Sequence, residues 1–581
     1  MTFSTKDIRM VVGLDFGTTF SGFAYCHVSE SKDILTNESW PGKAGTLKTN
    51  TVLQYDSGFN NVVEWGSLAL TKRKNKDEKR PVELFKLYLG NLPKHRRPKL
   101  PPRFDFKKAI TDYLCEIGKL IKKTVEWPGI NFTENVLLVL TVPAEYSERE
   151  KKIIRRCAYN AKLIKERDSQ KLQFTTEPEA AAIYCILQQQ SILVKEMTFM
   201  IVDCGGGTVD LTTHKLMLIE DKQLTGDDPL DLTIQKLIEN KQLTEVTERI
   251  GDFCGSTFID NEFIEFLREK LGTDAMDELI ENHYGQYQLL VQEFCQSIKK
   301  RFAGNKEVFY ELDIDENAPS LIQYVSNEKR EIMKKNDWLI SIKYDDLIKM
   351  FDPIVDRIIR LMRIQLSNSQ ETCSAIFLVG GFSKSKYLQK RIKNEFRDIV
   401  KTILVPNQPE AAIARGAAIY GLSLKNSPRM EEMSRYASVV RSRVLKYTYG
   451  IKVLGKWKAG EHPLHRKIFD DRIYLFDTFI KRGTQVQVDK PSRPKLGYKP
   501  FNPSQTKLKF ELFKTLNYSA TYHDEPGMEL VGTLRIDLPD THLACERPVA
   551  FGFYFGEMEI TAFAKNERNG QNFQTNFELK D

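Results

Sequence analysis

Two stretches of the chain carry the same hydrophobic pattern. Val11-Val12-Gly13-Leu14-Asp15 is an apolar run closed by an acid. Phe16-Gly17-Thr18-Thr19 follows as a small, hydroxyl-bearing turn, and Phe20-Ser21-Gly22-Phe23-Ala24-Tyr25 returns as a second apolar run. The design recurs at Phe199-Met200-Ile201-Val202-Asp203, with Cys204-Gly205-Gly206-Gly207-Thr208 as the turn and Val209-Asp210-Leu211-Thr212 as the return. Each stretch predicts a β-hairpin. The two acids stand 188 residues apart, which points to an internal duplication and not to a short solenoid repeat.

Between the hairpins, Val136–Val142 reads as a buried strand. Residues 147–163 read as an amphipathic helix opened by Ser147, with Glu150 completing a capping box. Thr176-Glu177-Pro178-Glu179-Ala180-Ala181-Ala182 starts another helix, with proline near its first turn. After the second hairpin come a charge-rich helical block over 258–302 and a strand over 374–379 that runs into Gly380-Gly381-Phe382-Ser383. A small-residue helix follows from Pro409-Glu410-Ala411-Ala412. The polar stretch over 425–443, with Pro428 and several serines, reads as a linker. Beyond it short alternating runs predict strands over 449–453, 472–476, 485–488, 507–513, 532–538, 549–555 and 558–564, the pattern of a β-sandwich-like unit.

The chain's 581 residues exceed the roughly 250–300 that one hydrophobic core serves, so several units are expected. Lys and Arg number 86 against 78 Asp and Glu. An excess of +8 over this length is slight and does not mark a nucleic-acid binder. The basic runs at 72–80 and 94–99 are broken by acids and prolines and read as solvated loops. Nine scattered cysteines and eight histidines lack zinc or disulfide spacing. The first residues hold no apolar core of a signal peptide, and no stretch reaches the ~20 apolar residues of a membrane span. A soluble cytoplasmic protein is expected, with the nucleus as a second compartment, and neither membrane nor nucleic acid as partner.

Glycine-bearing tips let backbone approach phosphate oxygens closely, and threonine hydroxyls add donors without charge. Acids beside them suit a magnesium ion held through water. Two facing hairpins of this kind form a clamp for a nucleotide tail.

The set Gly13-Leu14-Asp15-Phe16-Gly17-Thr18-Thr19, Val202-Asp203-Cys204-Gly205-Gly206-Gly207-Thr208-Val209-Asp210 and Leu378-Val379-Gly380-Gly381 resembles the actin, hexokinase and 70-kDa heat-shock protein superfamily. Thr141-Val142-Pro143-Ala144, Glu177-Pro178-Glu179-Ala180-Ala181-Ala182 and the run 409–418 resemble the 70-kDa heat-shock proteins in particular. Gly380-Gly381-Phe382-Ser383-Lys384-Ser385 is similar to their divergent 12A-type branch. The likeness is clear over residues 10–421 and fainter to the C-terminus.

The resemblance implies an α/β fold of duplicated actin-like, ribonuclease H-like lobes with a central cleft over 8–425. A linker over 426–446 and an antiparallel β-sandwich without a helical lid over 447–581 would follow. It implies a slow ATPase using ATP/ADP and Mg²⁺. Asp15 and Asp203 would sit around the metal's water shell, while Gly17, Thr18, Thr19, Gly205, Gly206, Gly207 and Thr208 hold phosphates. Lys86 would stand by the γ-phosphate, and Glu177 and Asp210 would orient the attacking water. Gly255, Lys299, Lys300, Gly380, Gly381, Lys384 and Glu410 would border the nucleoside. The β domain would bind extended or unfolded polypeptide, with nucleotide-exchange or J-type co-chaperones as further partners.

Three departures bear on this. Gln296 and Ala303 replace a family Glu and Ser, and Lys384 replaces an arginine whose flat face stacks on the base. The acidic-apolar connector of the family is absent; Val439-Val440-Arg441-Ser442-Arg443-Val444-Leu445 is basic. The sequence ends on a strand pattern, with no lid helix. A nucleotide-gated scaffold without chaperone cycling is the alternative, whereas a sugar kinase or a filament former leaves the β-rich part without a role.

Overall fold

The protein's structure, a computed structural model, describes residues 7–30, 33–70, 80–188, 196–218, 241–307, 309–425, 439–488, 490–555 and 558–576. The first lobe contains β1 (Met10–Asp15), β2 (Phe20–His27), β3 (Leu35–Thr36), β4 (Thr49–Asn50) and α1 (Phe106–Thr124). It continues with β5 (Val136–Val142), α2 (Glu148–Asn160), β6 (Leu172–Thr176) and α3 (Glu177–Gln188). The second lobe contains β7 (Thr198–Cys204), β8 (Val209–Leu218), β9 (Lys241–Glu245), β10 (Ile250–Asp252) and α4 (Thr257–Leu271). After these come α5 (Tyr344–Asn368), β11 (Ala375–Val379), β12 (Thr402–Leu404) and α6 (Ala412–Lys425).

The two main sheets have one topology. Their strand orders are β6-β5-β1-β2-β3 and β12-β11-β7-β8-β9, each an antiparallel hairpin extended by two parallel strands on the side of its first strand. The duplication read from the hairpins thus extends to whole sheets, and the mixed α/β class holds. All seven residues of β5 are buried, as a parallel strand covered on both faces requires. α1 buries Ile110, Tyr113, Leu114, Ile117 and Ile121, a stripe at helical spacing, and Asp105 caps its first turn through Lys107 N at 2.9 Å. At α2 the capping box forms as expected, with Ser147 N donating to Glu150 Oε2 at 2.8 Å.

Each lobe lends its last helix to the other. α3 leaves the first sheet and lies against β7 and β8, while α6 leaves the second and lies across β1 and β5. The helices cross where Gly416 meets Ala180; a Cβ at Gly416 would fall 1.7 Å from the Ala180 carbonyl oxygen. Only glycine permits that approach.

The boundary read at the linker is revised. Of the expected linker over 426–446, residues 426–438 lie outside the described ones, but Val440–Val444 is a strand, β13, parallel to β9 in the second-lobe sheet. A later strand, β16 (Gln485–Gln487), pairs with β13 and extends the same sheet, although its sequence pattern placed it with the C-terminal strands. The valines of the run 439–444 suit a strand, and the open side of β9 receives it, with β16 on its other side.

The C-terminal strands are β14 (Thr448–Lys456), β15 (Arg472–Ile480), β16 (Gln485–Gln487), β17 (Lys495–Tyr498), β18 (Lys507–Thr515), β19 (Glu529–Asp537), β20 (Val549–Tyr554), β21 (Thr561–Asn566) and β22 (Asn572–Asn576). All but β16 form antiparallel sheets β15-β14-β18-β19 and β17-β20-β21-β22 around a shared core, in which the Phe510 and Phe551 rings stack at 4.0 Å. The β20–β21 connection docks on α2. Arg155 makes a bidentate pair with Glu559, Ile560 N donates to Glu148 Oε2 at 3.1 Å, and Met558 packs on the first-lobe core.

One buried pair ties β13 to α3. Arg443 donates to Glu179 from Nη2 at 2.6 Å and Nε at 3.0 Å, both side chains being nearly inaccessible. Burial alone would raise the Glu179 carboxyl, but Arg443 and then Arg249 hold it at about 2, against an ordinary 4.5. This stabilisation is therefore complete above pH 4.5 and is lost as pH falls toward 2. Glu179→Gln should cost about 3 kcal/mol or more by leaving a buried guanidinium without its counter-charge. Denaturant titration would show this as an acid limb flatter than wild type, and amide exchange at 440–444 would rise.

Candidate functional site

The two hairpin tips meet. A Cβ on Gly206 would lie 2.1 Å from Thr19 Oγ1, and one on Gly207 would lie 2.7 Å from Thr18 Oγ1. The first turn of α4 supports the glycine tip from below. Gly255 N donates to Gly207 O at 3.2 Å, Ser256 N to Gly205 O at 3.1 Å and Thr257 N to Gly206 O at 2.9 Å. Gly205 N closes the turn on Thr208 O at 3.0 Å. Gly380, at φ 81°, runs so close beneath Asp203 that a Cβ would fall 2.5 Å from Asp203 Oδ1. A side chain at any of these positions would disrupt the approach.

Strand ends bring four acids together. Asp15 closes β1, Asp203 and Asp210 face each other across the β7–β8 hairpin, and Glu177 opens α3 directly after β6. All are buried. Lys86, on a short 3-10 turn over 85–88, is buried with them; its Nζ donates to Glu177 Oε1 at 2.8 Å and to Phe16 O at 2.5 Å. Lys48 Nζ donates to Asp15 Oδ2 at 2.5 Å. Ala144 N, on the loop after β5, donates to Asp210 Oδ1 at 3.0 Å. Just beyond, Glu145 pairs with Lys446, which follows β13 closely.

Burial is the main electrostatic fact here. It raises Glu177 against the opposing pull of Lys86. It also lifts Asp203 well above the carboxylate range, helped by Glu177, Asp210 and Asp15, and it raises Asp210 with help from Glu177 and Glu145. Burial works to lower Lys48, but Asp15, Asp203 and Glu177 outweigh it and hold the ammonium above its usual range. Asp203 Oδ1 and Asp210 Oδ2 are buried acceptors without a hydrogen-bond partner among the described residues.

Two orphaned carboxylate oxygens in a cluster of four acids suit a hard cation. Among the described residues no three Asp, Glu, His or Cys side chains converge as direct ligands, so the fit is to an ion held through its water shell.

The residues expected around the nucleoside are placed differently from one another. Gly255 and Gly380 adjoin the second hairpin's turn. Lys299 lies on a π-helical turn over 294–299, which swings it onto Asp260 Oδ1 at 2.5 Å and Ser256 O at 3.3 Å. Lys300 is exposed, Lys384 pairs with Glu410, and Gly381 has open space around it. Phe382 turns its ring into the second-lobe core. A surface pocket of about 540 Å³ is lined by Lys384, Gln389 and Pro409 among others and by none of the four acids. The basic run at 94–99 is less free than a solvated loop, since Arg96 lies over the Phe258 ring and Arg97 over Tyr88; residues 72–79 are outside the described ones.

Lys48 and the Glu179–Arg443 pair were not anticipated. The one signal for Lys48 was indirect: Gly22 stands where a copy of Asp210 would fall in the first hairpin.

No protein-family model matches the chain. Heat shock 70 kDa protein 12A of Homo sapiens is 24% identical over 650 residues, covering 96% of this chain and 90% of that protein. Heat shock 70 kDa protein 12B of Homo sapiens is 22% identical over 649 residues, covering 96% and 89%. The chain resembles the 12A-type heat-shock 70 kDa proteins over nearly all its length. Chaperone protein HscA of Buchnera aphidicola is 23% identical over 472 residues, covering 78% of this chain and 76% of that one. Similarity to the 12A-type proteins therefore takes in the C-terminal sheets as well as the two lobes.

Burying like charges costs stability that a neutral amide does not. Asp203→Asn should raise the melting midpoint of the ligand-free chain by removing about 1 kcal/mol of repulsion and desolvation, and should reduce any shift that Mg²⁺ with nucleotide produces. Calorimetric melts with and without Mg-ADP check both parts.

Proposed function

We propose that the chain binds ATP and ADP with Mg²⁺ between the hairpin tips and hydrolyses ATP slowly, its nucleotide state modulating the capture of extended polypeptide by the C-terminal sheets. What carries this reading is the contact of Thr18 and Thr19 with the Gly206–Gly207 turn directly above four buried acids, two of which keep an unpartnered oxygen. The resemblance to the 12A-type proteins and to the chaperone HscA supports it.

On this reading the Thr18 and Thr208 hydroxyls and the glycine backbone cradle phosphate oxygens, and Lys86 places its ammonium where charge develops on the transferred group. Lys86 is held from two sides, by the Phe16 carbonyl and by Glu177, so its position is set before substrate enters. Glu177, raised by burial, is suited to accept the proton of the attacking water, while Asp210, fixed by Ala144 N, orients that water. Asp15 and Asp203 would hold the magnesium through its waters, and the ion would neutralise phosphate charge.

Among the described residues after 447 the long elements are all strands, so a bound peptide would have edge and loop contacts without a helical cover and would exchange quickly. One observation favours the scaffold alternative: the basic segment expected as a linker is built into the second-lobe sheet as β13.

Calorimetric titration with ATP and ADP, paired with phosphate release, tests the reading. Lys86→Ala should lower turnover about 100-fold while changing nucleotide affinity far less; equal loss of both would make it a structural lysine. Fluorescence polarisation of extended apolar peptides with the full chain should differ between ATP and ADP. Nucleotide binding without peptide binding would favour the scaffold.

A further inference from the structure

The two hairpins match in backbone but not in charge. Seven residues after Asp203 stands Asp210; seven after Asp15 stands Gly22. The strands that cross these positions differ in the complementary sense. β10 sets Gly251 opposite Asp210, and a Cβ there would lie 2.6 Å from Asp210 Oδ1. β4 pairs Thr49 with Ser21 and so brings Lys48 beside Gly22, where a Cβ would lie 2.9 Å from Lys48 Cγ. In the second lobe the hairpin carries an acid and the crossing strand gives it room. In the first lobe the hairpin gives the room and the crossing strand carries a base.

The crossing segment is tied to the phosphate tip. Thr51 N donates to Thr19 O at 2.8 Å, Thr51 Oγ1 donates to Gly17 O at 2.9 Å, and Ser21 and Thr51 hydroxyls bond at 2.8 Å. The ammonium that this segment delivers faces Asp15, Asp203 and Glu177. Lys86 is clamped from two sides, but Lys48 rests on Asp15 with 15% of its side chain accessible, and its four-carbon stem can swing the head to a neighbouring oxygen.

We propose that Lys48 is a resident cation of the phosphate site, which leaves Asp15 for a phosphate oxygen when nucleotide enters, so that this chain holds a nucleoside diphosphate with little need of a divalent ion. The proposal rests on the nucleotide-binding reading above. A phosphate tail approaching four acids meets repulsion that some positive charge has to offset, and an ammonium already in the cluster supplies it without an ion being recruited.

The test is calorimetric titration of the full chain with ADP, in Mg²⁺ and in excess EDTA, for wild type, Lys48→Met and Lys48→Arg, with melts to confirm folding. Wild type should lose less than about tenfold in affinity on chelation, and Lys48→Met about 100-fold or more in EDTA while staying within about tenfold of wild type in Mg²⁺. Lys48→Arg, which keeps the charge, should follow wild type. Loss of wild-type binding in EDTA overturns the proposal without reference to any variant. So does an equal loss by Lys48→Met in both conditions. If wild type fails to bind ADP even with Mg²⁺, the nucleotide reading itself falls; the other two outcomes leave it standing.

Discussion

Carboxylates packed beside one another, out of water, are the condition that the centre of this molecule has to meet. Asp15, Glu177, Asp203 and Asp210 arrive from separate strand and helix ends, and no one of them has solvent to spread its charge into. Lys86 and Lys48 offset part of the repulsion, each from a segment remote in sequence. What they leave over falls on Asp203, whose carboxyl is raised well above the usual range and keeps an orphaned oxygen. Such an arrangement costs stability in the empty protein, and on the proposed nucleotide-binding reading that cost is recovered when charged ligand enters. The small tips follow from the same requirement, since any bulk at Gly206 or Gly207 would hold the hairpins apart.

The first turn of α3 joins this centre to the rest of the chain. Glu177 points to Lys86 in the cluster, while Glu179, two residues on, takes the guanidinium of Arg443 on β13. Ala180 then lies beneath Gly416, where the crossed helices touch. The acid of the chemical centre, the anchor of the C-terminal strand and the contact between lobes thus share four successive residues of one helix. A shift of that turn is felt at all three places, because close-packed interiors transmit displacement instead of absorbing it.

The C-terminal sheets are attached at more than one point. β13 and β16 extend the second-lobe sheet, Lys446 reaches Glu145 beside Asp210, Arg482 reaches Glu248, and the 558–560 turn grips α2 on the first lobe. Both lobes therefore bear on the same β-rich unit.

The amino-acid sequence by itself determined what depends on near neighbours. Both hairpins, the β5 run, the Ser147–Glu150 cap and the duplication are all written in local periodicity and in side chains that bond within a turn. It also marked Asp15, Asp203, Asp210 and Glu177, because acids at the ends of apolar strands have a recognisable form. Tertiary structure alone decided which remote groups complete them. Lys48 is an ordinary lysine in a polar stretch until β4 lays it across Gly22, and Arg443 reads as a linker residue until β13 seats it on Glu179. Lys299, expected near the nucleoside, is turned onto Asp260 by a π-helical turn that residue spacing does not reveal. Short alternating strands such as β16 carry no mark of the sheet they join, since edge hydrogen bonds are the same for every partner and the choice falls to whichever open edge packing brings near.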